Sequence, residues 1–236
     1  MDRFLSLFSF DILYDALIVA IPALICITIH ELAHGYTAYR LGDNTAKLMG
    51  RLTLNPIKHI DIVGLAMILL VGFGWAKPVP VNMHNFKHPK AYMAITAAAG
   101  PLSNLILAVI VMFIFLLVTP YSSITQFFVH NAYGEPSLLS LIIFRMALLN
   151  VMLAVFNLLP VPPLDGSKVL FSLLPENLYT KLMKYERYGM IFILILIFSG
   201  RFLRFDIFNF LVWQPAMIVF TGIANFAQSV IGVFGG

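Results

Sequence analysis

Long apolar runs alternate with short polar stretches along this chain. The runs divide by length into those that reach across a bilayer and those that do not. Residues 9 to 40 read as one helix, apolar over most of its length, with Pro22 inside it and Gly42 as its stop signal. Residues 91 to 118 and 137 to 159 predict two further crossings, 188 to 199 a short fourth and 208 to 233 a fifth. Residues 62 to 75 are apolar but too few for a comfortable crossing, and predict a re-entrant segment.

The polar stretches carry patterns of their own. Residues 49 to 56 alternate apolar and polar positions and stop at Pro56, as a short strand does. Residues 76 to 82 contain Pro78 and Pro80, which forbid a central strand but allow an edge strand or an extended segment. Residues 167 to 184 are polar and amphipathic. The pattern predicts an all-α polytopic membrane protein with about five transmembrane helices, a re-entrant segment and short membrane-associated β-strands. It predicts one domain over residues 1–236, with no internal repeat.

Composition turns membrane insertion from a pattern into a requirement. Of 236 residues, 60% are hydrophobic and 11% charged, with a mean hydropathy of +0.91. A soluble domain is nearer half apolar and a quarter charged. The net charge of +4 does not point to nucleic acid, because the basic residues are spread over several loops. They bear on topology instead. If residues 62 to 75 re-enter, eleven Lys and Arg lie on one side, from Arg40 to Lys90 and from Lys168 to Arg187. Arg3, Arg201 and Arg204 lie on the other, with Arg145 intramembrane. If that segment crosses, the division becomes eight against six. The positive-inside rule favours re-entry, with the polar loops facing the cytoplasm of a multi-pass cell-membrane protein. Cys26 is the single cysteine, which excludes an internal disulfide, and it reads as a small packed hydrophobe. The N-terminal apolar run leads straight into the motif described next and is not read as a cleavable signal.

Candidate chemistry concentrates at Ile29-His30-Glu31-Leu32-Ala33-His34. Histidines four residues apart project from one helix face, a spacing that lets both imidazoles bind one zinc ion. Glu31 between them can take a proton from a water on the metal. Ionisable groups in an otherwise apolar helix are costly and tend to be functional. A catalytic zinc needs three protein ligands. Asp165 is the best third candidate, since it follows an intramembrane helix and the break Pro160-Val161-Pro162-Pro163. It reads equally as the cap of a helix starting near Ser167. His59, His84, His88 and His130 lie in polar loops and read as solvated surface histidines. Asn157 either holds helices together or donates a hydrogen bond to an oxyanion.

In order, His30-Glu31-Leu32-Ala33-His34, Gly100-Pro101-Leu102-Ser103-Asn104 and Asn157-Leu158-Leu159-Pro160-Val161-Pro162-Pro163-Leu164-Asp165-Gly166 resemble the motifs of the site-2 protease family of intramembrane zinc metalloproteases. The match covers about residues 10 to 185. The resemblance implies one Zn2+ per chain on His30, His34 and Asp165, with Glu31 as general base. It implies that Asn157 orients or stabilises the reacting carbonyl and that Asn104 is structural. It implies that residues 48 to 55 and 76 to 82 are membrane-associated strands that pair with substrate. The expected activity is hydrolysis of peptide bonds in or near transmembrane segments of membrane proteins, with the bilayer as surroundings and the active site toward the cytoplasm. The chain departs from many members in showing no PDZ or CBS module. A metal ion transporter using the same His and Asp residues is the alternative. A catalytically silent scaffold is a further one.

Overall fold

The computed structural model describes residues 10–71, 74–119, 124–127, 137–183, 186–202 and 205–234. Helix α1 (Phe10–Arg40) has 31 residues, about 46 Å at 1.5 Å per residue. It ends where Gly42 adopts a φ of 109°, a left-handed turn that a side chain would strain. A short helix, Thr45–Leu48, follows, and then α2 (Ile62–Val71). The long helices α3 (Pro89–Val118) and α4 (Leu138–Asn157) come next. Short helices α5 (Asp165–Ser172) and α6 (Glu176–Met183) lead to α7 (Glu186–Phe202). A π-helical turn over Asn209–Trp213 opens into α8 (Gln214–Phe234).

Among the described residues, four stretches are long and apolar enough to cross a membrane: Ile18–Arg40, Pro89–Val118, Leu138–Asn157 and Asn209–Gly232. The expectation of about five is corrected accordingly. Helix α7 has 17 residues, about 25 Å, which falls short of a hydrocarbon core of about 30 Å.

No strand occurs among the described residues, so the expected membrane-associated strands are a second correction. The hydrogen bonds explain why. In residues 76–82, Pro78 and Pro80 have no N–H to give. The Lys77 N–H donates to the His59 carbonyl at 3.0 Å. The Val79 and Asn82 N–H groups donate to carboxylates, Glu31 Oε2 and Asp43 Oδ2, each at 2.7 Å. The Arg51 guanidinium takes the Lys77 carbonyl at 2.7 Å. Side chains therefore replace the ladder, and the segment is an extended strap. Residues 49–55 alternate in polarity but turn, with the Asn55 side chain capping the 3-10 turn at Pro56.

The bond between His59 and Lys77 also brings together the two ends of the segment containing α2. With 10 residues, α2 itself is about 15 Å long.

The core lies between α3, α4 and α8. Phe127 stacks on Phe144 at 4.7 Å, while Phe115 and Phe220 meet that pair edge-on. Helix α3 shows why its sequence is apolar all round. Ala108, Val111, Met112 and Phe115 face the core, whereas Leu102, Ile106, Ile110 and Leu117 are exposed. A helix at a water interface would carry polar residues on that outer face. Here the outer face is made for lipid. Helices α1 and α5 both pack against α3, which brings residues 30–34 and 165 together.

Candidate metal centre

His30 and His34 stand one turn apart on α1, and both are buried. Their rings meet edge to face, with centroids 4.5 Å apart and an interplanar angle of 89°. Asp165 comes to them from the start of α5. Leu164 holds the N-cap position of that helix, and the Asp165 carboxylate turns to the histidines instead of capping. Its Oδ2 lies 3.2 Å from His30 Nε2 and 3.1 Å from His34 Nε2. The two Nε2 atoms are 3.0 Å apart.

This donor set fits a metal ion. Two imidazole nitrogens and one carboxylate oxygen converge within 4.8 Å of one another, all on buried residues. A tetrahedron with metal–nitrogen bonds of about 2.1 Å has edges of about 3.4 Å. The separations of 3.0 to 3.2 Å fall a few tenths short of that. The tautomer of His34 also suits a ligand. Its Nδ1 donates to the Thr96 carbonyl at 2.7 Å, which leaves the Nε2 lone pair facing the cluster. His30 Nδ1 is buried and has no hydrogen-bond partner among the described residues.

The sequence reading did not identify three parts of this centre. Gly100 is the first. A Cβ there would lie 2.4 Å from His34 Cε1 and Nε2 and 2.6 Å from His30 Cε1, so only glycine lets α3 approach the rings. The small residues of that motif were a visible signal, read as helix packing alone. Thr96 is the second, and it acts through a backbone carbonyl, which no residue type announces. The third is Val79, whose N–H holds Glu31 Oε2 at 2.7 Å.

A cavity of about 420 Å³ opens on the centre. His30, Glu31, His34, Asn157 and Asp165 all line it. Thr96 and Lys168 add polar groups to its wall, and the strap residues Pro78, Val79 and Val81 add apolar ones. The Asn157 amide donates to the Leu153 carbonyl of its own helix at 2.9 Å. The loop histidines stay out of the group. His84 and His88 are exposed, and His130 lies outside the described residues. His59 is not the solvated residue expected: it is buried, with Nε2 against the Thr53 carbonyl at 2.9 Å.

Comparison with known proteins follows the same lines. The family profile described as peptidase family M50 matches residues 17–199. The chain is 43% identical over 200 residues to YwhC of Bacillus subtilis, covering 83% of this chain and 85% of that one. It is 28% identical over 213 residues to Rip2 of Mycolicibacterium smegmatis, covering 89% and 76%. It is 27% identical over 173 residues to MJ0392 of Methanocaldococcus jannaschii, covering 73% and 38%. All three bear names that describe a zinc metalloprotease. No solved structure matches the chain at a significant level.

Proposed function

This chain belongs to peptidase family M50, the site-2 protease family, and on that premise we propose that it cuts peptide bonds in or beside the membrane-spanning segments of other proteins. It is a zinc metalloprotease and a membrane protein. The observation that carries the finer reading is the position of the donor set: buried, between helices long and apolar enough to span a bilayer. A soluble peptide would not need a site there.

In this reading His30, His34 and Asp165 hold the zinc. Zinc supplies Lewis acidity, which polarises a carbonyl and makes water a usable nucleophile near neutral pH. The chain's own groups do the rest. Glu31 lines the cavity and takes the proton from the attacking water, then passes it to the leaving amine. Val79 holds one carboxylate oxygen of Glu31, which fixes the direction of that transfer. Asn157 lies on the same wall, within reach of a bound carbonyl. Thr96 and Lys168 add polar groups to the cavity beside the donor set, and hydrolysis in a bilayer needs a wet side.

The cavity opens toward the cytoplasm in this proposal. Its support is the eleven-to-three division of basic residues, together with the bond that joins His59 to Lys77. The transporter alternative is not favoured, because the family and the relatives' names are those of proteases.

The test is Glu31→Gln. The purified variant is expected to keep one zinc and to cleave a transmembrane test substrate about 100- to 10,000-fold more slowly. Gel analysis and mass spectrometry follow the products. Cleavage at the wild-type rate would refute the role given to Glu31.

A further inference from the structure

A second cavity, of about 230 Å³, lies against the same centre. It shares His30, Glu31, Asn157 and Pro163 with the larger one, so the two meet at the reacting groups. They differ in character. The larger carries Lys168 and the strap. Among the described residues the smaller has no charged side chain beyond those it shares, and Trp75, Leu153, Phe156, Leu164 and Ile193 supply its large apolar surfaces. Its wall draws on four separate parts of the chain: α1, the segment after α2, the C-terminal half of α4 with the turn beyond it, and α7.

Volume says what fits. An apolar cavity of about 150 Å³ lined by Leu, Ile and Phe stays dry and takes up benzene. One turn of helix, 10–12 Å across and 5.4 Å long, fills roughly 400–600 Å³. At about 230 Å³ the cavity has room for one large side chain.

We infer that this cavity is the subsite for one large apolar side chain of the substrate, aromatic or branched aliphatic, next to the scissile bond. The inference rests on the protease reading and adds to it a rule for which bonds are cut. A chain that brings its carbonyl to His30, Glu31 and Asn157 must place a neighbouring side chain within a residue's length of them. The shared wall offers an apolar place for it. Binding there converts apolar contact into alignment of the carbonyl, which is how remote binding energy raises a rate.

The test uses a transmembrane peptide whose cut site has been mapped by mass spectrometry. Positions on either side of the bond are changed in turn to Ala, Leu, Phe and Trp. The full chain is expected to favour Leu or Phe over Ala at one adjacent position by about 10- to 200-fold in kcat/KM. Leu153→Trp, which fills the cavity, is expected to reduce cleavage of the Phe peptide at least 10-fold more than that of the Ala peptide. Ile193→Ala, which enlarges it, is expected to shift the preference toward Trp. A second readout does not depend on cleavage. In the Glu31→Gln chain, a benzophenone-bearing phenylalanine at the same peptide position is expected to cross-link to Leu153, Phe156 or Ile193.

An unchanged preference in a Leu153→Trp chain that still cleaves would overturn the subsite and leave the protease reading standing. So would cross-links confined to Pro78–Val81. An acyl chain found in the cavity by native mass spectrometry, with no peptide cross-link there, would also overturn it. Cross-links at Phe156 together with wild-type cleavage by the Glu31→Gln chain would uphold the side-chain site and overturn the role given to Glu31.

Discussion

Gly100→Ala adds one methyl group and tests how the metal centre is built. The new Cβ would lie 2.4 Å from two atoms of the His34 ring and 2.6 Å from His30 Cε1. Ordinary contact begins near 3.4 Å, so the His34 ring has to retreat by about 1 Å or α3 has to leave α1. The ring is not free to retreat, because the Thr96 carbonyl of α3 holds its Nδ1 at 2.7 Å. Helix α3 is not free either, since its other buried face carries Val111, Met112 and Phe115 into the core. Metal–ligand distances tolerate about ±0.2 Å, and a misplacement of about 1 Å in a reacting site costs about 100-fold in rate. Overpacking of this kind costs about 1–3 kcal/mol, against total stabilities of about 5–15 kcal/mol, so the variant is expected to fold. The expected outcome is a helical, membrane-inserted chain with at least 10-fold weaker zinc binding and cleavage reduced about 100-fold. Metal analysis after dialysis against graded chelators gives the first quantity, and timed cleavage of a transmembrane substrate gives the second. Wild-type zinc affinity together with a wild-type rate would refute the contact between α3 and the two rings.

Other outcomes follow from the strap and its anchors. Val79→Pro removes the N–H that holds Glu31; a hydrogen bond to a charged group contributes about 1.5–3 kcal/mol, so kcat/KM is expected to fall roughly 10- to 100-fold with zinc content unchanged. Asp43 is fully buried, and although burial opposes its ionisation, hydrogen bonds from Thr45, Asn85 and the Asn82 N–H prevail and lower its pKa. A depressed folded-state value means that Asp43 stabilises above the ordinary carboxylate pKa of about 3.9 and loses this effect as pH falls through the folded value. Asp43→Asn is therefore expected to lower the melting temperature at pH 7 and to flatten its acid decline, as read by thermal melts in detergent. Cysteines at Lys58 and Lys87, in a chain with Cys26 replaced, are expected to label from the cytoplasmic side; opposite-side labelling would refute the orientation.

What could be read in advance depended on whether side chains or backbone did the work. The spacing of His30 and His34 fixes one helix face, so those two donors were legible as residue types, whereas Asp165 read equally as a helix cap and joined the set only through the family resemblance. Length and hydropathy likewise gave the long helices. Backbone partners were not legible. The Thr96 carbonyl and the Val79 N–H belong to every residue type equally, so nothing in the sequence singled them out. The strand expectation failed for a related reason. Alternation of polarity records which side a residue faces, but a strand also needs a neighbour's backbone, and here Glu31, Asp43 and Arg51 stand in for one. His59 looked like a surface residue because its neighbours are polar, yet that loop folds back over it.

The strap bears on Glu31 in a further way. A carboxylate that shares an oxygen with a backbone amide 48 residues away is no longer a free-standing side chain. Its aim is set by a length of chain that has no ladder of its own and is stitched down at Lys77, Val79 and Asn82. Base and strap form an interlock. Under the proposed mechanism, a peptide that settles alongside the strap would find the proton acceptor already set, and one that forces the strap outward would disarm it.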